Sequence, residues 1–324
     1  MLIALAWCVV SLAVLVGGAE MIVRGGGKLA GRLGISPAII GLTIVAIGTS
    51  TPELAVGIDA VLKGNGSLAV GNIAGTNIVN ILLILGLSAL IRPLALRGQT
   101  LRLDLPMMVI SAFALVIAAW DGTLSRTEGI ILMAGALIYT VIIVRLARHE
   151  SAAMKRRYRK ELDIFYENHA AHGIFRNFMV LVAGIAIVVL GADRLVDAAV
   201  TLARLAHVSD AFIGLTIVAI GTSAPELVTT IVSTIKGERD IAIGNLLGSG
   251  IYNILAILGV TCLFSSAGVD VGPNLRQFDI PLMAAVTLVC VPVFMSGRAI
   301  SRQEGALFVA AYGAYLAYLI FTRT

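Results

Sequence analysis

The chain has 324 residues, of which 58% are hydrophobic and only 13% charged, with a formal net charge of +5. A soluble globular domain carries about twice that charged fraction, so the soluble class is excluded. The basic balance does not point to nucleic acid either, because Lys and Arg fall between long apolar runs, where a membrane protein places them.

Ten apolar stretches follow in order, near 2–23, 36–58, 68–91, 103–120, 129–147, 174–192, 209–235, 241–264, 279–296 and 303–321. Each is about the length that spans a bilayer, so the expected class is an all-α polytopic membrane protein with ten transmembrane helices. The first stretch resembles a signal peptide in length. It lacks a basic leading region and has a counterpart in the second half, so it is expected to remain as a helix. Cys8, Cys262 and Cys290 lie in apolar spans without CxxC spacing and read as packed thiols, with no disulfide or metal role. If residue 1 faces outside, 18 of the 24 Lys and Arg residues fall in loops on the inner side. The positive-inside rule then places both termini outside.

The second span, GLTIVAIGTSTPEL at 41–54, ends in a glutamate inside an apolar run. A carboxylate at the bilayer centre costs about 2.5–3.5 kcal/mol on insertion scales, and no Lys or Arg in the span neutralises Glu53. Pro52 cannot pair with the carbonyl four residues back, at Gly48. The helix is therefore expected to loosen and free carbonyls around Ala46 and Ile47. Thr49, four residues before Glu53, and Ser50, three before it, are expected on the same face. In the third span, GNIAGTNIVN sets Asn72, Thr76 and Asn80 in one stripe at i, i+4 and i+8, while Gly71 and Gly75 permit close helix approach. Asp104, two residues before Pro106 at the start of the fourth span, reads as an N-cap.

The second half repeats the first. Residues 41–87 and 214–260 align without a gap at an offset of 173, with 27 of 47 positions identical. Glu226, Thr222, Ser223, Ala219 and Ile220 match the first Glu-Pro kink. Asn245, Ser249 and Asn253 match the first stripe, with Gly244 and Gly248 beside them. Small insertions then shift the offset, so that Asp104 corresponds to Asp279 and SRTEG at 125–129 to SRQEG at 301–305. The expected organisation is a first repeat at 1–147, a polar cytoplasmic linker at 148–173 and a second repeat at 174–324. Five spans is an odd number, so the second copy enters the membrane inverted, and such repeats build their substrate site near the midplane. His149, His169 and His172 lie in or beside the linker, where their spacing argues only weakly for metal. Among the remaining acids, Asp59 reads as peripheral. Glu20 and Asp193 correspond between the repeats and could shape an ion path, though they read more simply as solvated helix ends.

Two carboxylates, several hydroxyls, amide carbonyls and freed backbone carbonyls make a hard, all-oxygen cage. Calcium takes 6–8 oxygens in flexible geometry, and sodium accepts a similar set. Soft metals would require Cys or His. The ligand class is an alkali or alkaline-earth cation.

GTSTPE and GTSAPE, each followed by GNxxGxxxxN, resemble the paired α-repeats of the cation/calcium antiporter superfamily, the sodium/calcium exchangers, and most of all their short prokaryotic members. The resemblance implies exchange of Ca²⁺ for Na⁺ by alternating access, in a prokaryotic plasma (inner) membrane. It implies cation ligands at Glu53, Thr49, Ser50, Thr76 and Asn80, with Glu226, Thr222, Ser223, Ser249 and Asn253. It also makes spans 1 and 6 the candidate moving pair. Many members of the family carry Asp where this chain has Asn253, so two formal negative charges remain, enough for one Ca²⁺ or two Na⁺. That argues against a third sodium, and against potassium dependence, which is associated with Asp there. The short linker leaves no room for the calcium-sensing domain of the larger animal exchangers. The expected partners are inorganic cations and the lipid bilayer, with no nucleic acid, no cofactor and no implied oligomer, a monomer being the functional unit. A proton-coupled cation antiporter on the same scaffold is the nearest alternative, since a buried glutamate can exchange a proton for Ca²⁺. A passive channel is disfavoured because the ligands converge on one cage. An enzyme is not expected, because no HExxH or Ser–His pairing occurs and His207 is the only histidine outside the linker region.

Overall fold

A computed structural model describes residues 2–148, 174–205 and 219–323. The expected linker at 148–173 lies outside the described residues apart from Arg148, as do all four histidines. Nine helices among the described residues are long and apolar enough to cross a membrane. They are α1 (Leu2–Leu33), α2 (Pro37–Leu62), α3 (Gly66–Ile91), α4 (Thr100–Ala118), α5 (Arg126–Arg148), α6 (Ile174–Leu205), α8 (Arg239–Leu263), α9 (Leu275–Gly297) and α10 (Arg302–Arg323). The remaining member, α7, is described over Ala219–Thr222 and Ala224–Lys236.

The packing follows the repeat. α2, α3, α7 and α8 form the centre, where the Val79–Leu85 turn of α3 meets α7 and the Asn253–Leu258 turn of α8 meets the second half of α2. Around them α3 packs on α10, α8 on α5, and α4 on α9. Two short antiparallel ladders tie the loops together. One pairs Leu94–Ala95 (β1) with Ala299–Ile300 (β4), and the other pairs Thr123–Leu124 (β2) with Val269–Asp270 (β3). Each ladder joins one half of the chain to the other.

α1 lies along α6 more extensively than any other pair of described elements meets. Its buried residues Leu15, Ala19, Ile22 and Val23 join Leu181 and Val188 of α6, Ile40 and Val45 of α2, and Ala224 and Val232 of α7 in a second core. The crossing depends on glycine: a Cβ on Gly184 would sit 2.8 Å from the Gly18 carbonyl oxygen, so a side chain there would force the backbones apart.

Local signals account for the helix starts. In SRTEG the Ser125 N–H donates to Glu128 Oε2 at 2.7 Å, and the Glu128 N–H donates to Ser125 Oγ at 3.2 Å. Ser301 and Glu304 do the same at the start of α10. These are reciprocal capping boxes.

Asp104 and Asp279 are not side-chain caps. Each sits at the end of a π-helical turn, Thr100–Asp104 or Leu275–Asp279, and makes no capping bond to the helix that follows. Instead, buried Asp104 accepts from the Tyr139 hydroxyl at 3.0 Å and Asp279 from Tyr315 at 3.2 Å. The continuous helical backbone through these residues leaves no free N–H for a cap to take, so the carboxylates turn towards tyrosines of α5 and α10. Asp59 is peripheral as expected, in an exposed pair with Lys63. Cys8 is partly buried, Cys262 and Cys290 are buried, and all three are free thiols.

Candidate cation site

The backbone breaks where the sequence places the prolines. Ser50 (φ −83°, ψ 12°) and Ser223 (φ −88°, ψ 7°) leave helical geometry, and new helices start at Thr51 and Ala224 with Pro52 and Pro225 in their first turns. Glu53 and Glu226 each fall in that first turn. The orphan N–H groups and positive dipole end there favour a negative charge. Both glutamates are fully buried.

The break redirects the hydroxyls. Ser50 Oγ donates not to Glu53 but to Glu226 Oε1 of the other repeat, at 3.0 Å. Thr49 Oγ1 donates to Asn245 Oδ1 of the other repeat at 3.2 Å. Backbone bonds still run from the Ser50 N–H to the Ala46 carbonyl and from the Leu54 N–H to the Ser50 carbonyl, while the Thr49 and Ser50 hydroxyls find partners across the repeat boundary. The third spans keep the expected relation, as Thr76 Oγ1 donates to Glu53 Oε1 and Ser249 Oγ to Glu226 Oε1, both at 3.5 Å. Glu226 is thus held by more hydroxyls than Glu53.

The Ala46 carbonyl is less free than the sequence implies. It accepts the Ser50 N–H at 3.1 Å and the Thr49 hydroxyl at 3.4 Å. The Gly48 carbonyl, which Pro52 cannot serve, takes the Thr51 hydroxyl at 2.8 Å. Ala219 opens the matching turn of α7, and residues 206–218 before it lie outside the description.

Asn80 lies within the π-helical turn Val79–Leu85, and Asn253 opens the π-helical turn Asn253–Leu258. Such turns recur at functional sites because they re-aim side chains within a helix. No short motif announces them in the sequence. Asn80 and Asn253 are buried with Thr76 and Ser249, and Ala46 is fully buried. Thr222 is half-buried and lines a cavity of about 340 Å³ shared with Thr51, Pro52 and Asp193. Asp193 is exposed there, whereas Glu20 is paired with Arg24 and Lys236. From the first stripe, Asn72 is half-buried with its Nδ2 unpartnered. In the second, Asn245 donates to Thr230 at 3.1 Å and holds Thr49, a supporting rather than a converging position.

Buried polar atoms are normally hydrogen-bonded. Here Glu53 Oε2, Glu226 Oε2, Asn80 Oδ1, Asn253 Oδ1 and Ser223 Oγ are buried without a hydrogen-bond partner among the described residues. Two carboxylate oxygens, two amide oxygens and a hydroxyl, from four broken or π-turned helices, are a donor set for a hard cation. No cluster of three or more His, Cys, Asp or Glu occurs among the described residues, so the set holds two charges and several neutral oxygens. Close approach of α8 to α2 keeps them together: a Cβ on Gly248 would lie 2.6 Å from the Leu42 carbonyl oxygen, and one on Gly244 would lie 2.6 Å from that of Ala38.

Comparison with known proteins agrees with this architecture. The sequence profile described as sodium/calcium exchanger protein matches residues 3–145 and again 176–321, once per half. Inner membrane protein YrbG of Escherichia coli strain K12 is 37% identical over 324 residues, covering 98% of this chain and 97% of its own. Sodium/calcium exchanger MaX1 of Methanosarcina acetivorans is 31% identical over 338 residues, 95% of each chain. Among solved structures, the sodium-calcium exchanger NCX_Mj superposes with a TM-score of 0.82 at 27% identity, over 97% of both chains.

Proposed function

Because the chain belongs to the sodium/calcium exchanger family, a family of cation/Ca²⁺ antiporters, we propose that it exchanges Ca²⁺ for Na⁺ at one cage near the membrane midplane. The observation that carries this reading is a pair of fully buried glutamates, one per repeat, each at a helix break and each with an unpartnered carboxylate oxygen.

Glu53 and Glu226 supply the charge. Thr49, Ser50, Thr76 and Asn80, with Thr222, Ser223, Ser249 and Asn253 and the carbonyl of Ala219, supply neutral oxygens, while the Ala46 carbonyl can join only by giving up a bond within its own helix. Two negative charges are balanced by one Ca²⁺ or two Na⁺, so the two loads compete for the same carboxylates. The empty site keeps both charges and resists reorientation in the bilayer, while either load relieves that cost. This coupling makes the protein an exchanger and not a leak. A third sodium would lack a counter-charge, and with Asn253 in place of Asp no potassium requirement is expected. The long contact of α1 with α6, which together lean on α2 and α7, supports these helices as the pair that slides over the cage. The chain is a transporter with no resident cofactor, working as a monomer in the inner membrane with both termini outside and the 148–173 linker inside.

Purified protein in sealed vesicles tests this directly. With pH and voltage clamped, an outward Na⁺ gradient should drive Ca²⁺ uptake. Uptake driven only by a pH gradient would replace sodium with the proton as coupling ion. Downhill Ca²⁺ flux without any counter-ion would mean a channel.

A further inference from the structure

Asn77 belongs to none of the oxygen positions above, yet it touches one of them. It is buried on α3 beside Thr76, and its counterpart at the repeat offset is Gly250. Its Nδ2 donates to the Gly250 carbonyl at 3.3 Å and faces Met283 Sδ at 3.6 Å. A carbonyl and a thioether only accept, so the Asn77 amide must turn its NH₂ towards them and its oxygen the other way. That oxygen accepts Asn253 Nδ2 at 3.4 Å. With its NH₂ engaged, Asn253 presents Oδ1, buried and without a hydrogen-bond partner among the described residues, at the turn that packs against the Glu53 half of α2.

The repeat mate behaves differently. Neither Oδ1 nor Nδ2 of Asn80 has a partner among the described residues, and at the position equivalent to Asn77 the second repeat offers only a glycine. The duplicated sequence therefore yields one amide that is held and one that is not.

We propose that Asn77 is a positioning residue. Using the Gly250 carbonyl as its reference, it fixes the Asn253 amide so that oxygen, and never NH₂, faces the cation, making one side of the cage preorganised. This rests on the cage proposed above. An amide facing the wrong way would withdraw a ligand and aim a donor dipole at the cation. Held by Asn77, Asn253 meets Ca²⁺ or Na⁺ at no cost in reorientation. Asn80 is oriented only by what binds.

The test is a double-mutant cycle on the full-length protein, using Ca²⁺ itself as ligand. Asn77→Leu, Asn253→Ala and the double variant are compared with wild type by Ca²⁺ titration calorimetry, by Na⁺-driven Ca²⁺ flux in vesicles and by thermal unfolding. Asn77→Leu should raise the Ca²⁺ dissociation constant about fivefold or more, on the scale of a neutral hydrogen bond, while the flux at saturating Ca²⁺ changes less than about twofold. In the Asn253→Ala background the same substitution should change affinity by less than about twofold, because no amide remains to be oriented.

Equal loss in both backgrounds would assign Asn77 a purely structural role and overturn the proposal. So would an unchanged affinity in Asn77→Leu when Asn253→Ala weakens binding. If Asn253→Ala itself leaves affinity within about twofold of wild type, the ligand role of Asn253 fails and the positioning role fails with it. Infrared difference spectra with ¹³C-labelled asparagine provide a second readout that does not depend on measurable affinity in the alanine variant. In the Ca²⁺-free protein the amide carbonyl band assigned by Asn253→Ala should broaden or shift in Asn77→Leu, as for an amide no longer held, and an unchanged Ca²⁺-free band there would overturn the proposal.

Discussion

Replacing Glu226 by Gln keeps the shape of the side chain and removes one of the two charges in the cage. Ser50 and Ser249 donate to Oε1 at 3.0 and 3.5 Å, and a glutamine oxygen can accept the same bonds, so the change is chiefly electrostatic. A unit charge 4 Å away at an effective dielectric of 20 is worth about 4 kcal/mol, and against a divalent ion the figure doubles to about 8 kcal/mol. If the amide dipole recovers half, the net loss is about 4 kcal/mol for Ca²⁺ and about 2 kcal/mol for each Na⁺, with about 1.4 kcal/mol per decade of affinity. Glu226→Gln should therefore weaken Ca²⁺ about a thousandfold and Na⁺ about thirtyfold, shifting selectivity towards sodium. Glu53→Gln should behave alike, since its charge is the same and the Thr76 hydroxyl that donates to it can serve a glutamine oxygen. Titration calorimetry with each cation, together with vesicle flux, measures both ratios. Equal factors for the two ions would mean that the variants distort the cage, not its charge. A Ca²⁺ loss under about tenfold would remove the carboxylates from the site.

Three further outcomes follow from individual contacts. Ser50→Ala removes a donor to a carboxylate across the repeat boundary and should cost the cation-free protein about 1.5–3 kcal/mol. Ser223→Ala, whose hydroxyl has no partner among the described residues, should leave that stability unchanged, and thermal unfolding of the two variants compares them. Tyr139→Phe deprives buried Asp104 of its hydroxyl donor and leaves the Thr100 hydroxyl beside it. It should destabilise the protein by a similar about 1.5–3 kcal/mol with Ca²⁺ affinity intact, because neither residue belongs to the cage. Gly248→Ala puts a Cβ 2.6 Å from the Leu42 carbonyl oxygen and 2.7 Å from Ala46 Cβ. Overpacking there should cost about 1–3 kcal/mol and weaken Ca²⁺ binding as well, since the segment displaced carries Thr49. Unfolding and calorimetry on one preparation read both effects.

Much of the chemistry was legible in one dimension. A glutamate in a long apolar run is costly wherever the helix packs, so Glu53 and Glu226 declared themselves without a structure. Proline's missing N–H likewise announced the breaks at Ser50 and Ser223. The Ser-x-x-Glu spacing of SRTEG and SRQEG carried the capping boxes in full, because a cap joins residues three apart. Asp104 and Asp279 misled for the complementary reason. Asp two residues before Pro is a local cap signal, and what overrode it was a tyrosine 35 or 36 residues further along, on another helix.

Sequence alone determined that the chain spans a membrane as two inverted repeats and that each repeat buries a matched glutamate among hydroxyl and amide groups. Those properties depend on composition, on parity and on spacing along one helix. Tertiary structure decided which oxygen faces which. Ser50 serves the glutamate of the other repeat, the Ala46 carbonyl is engaged by its own helix, and Asn253 is turned by Asn77. A helix break rotates everything beyond it by an amount no motif encodes, and a duplicated motif whose mates differ, as Asn77 and Gly250 do, becomes asymmetric only when the two copies meet.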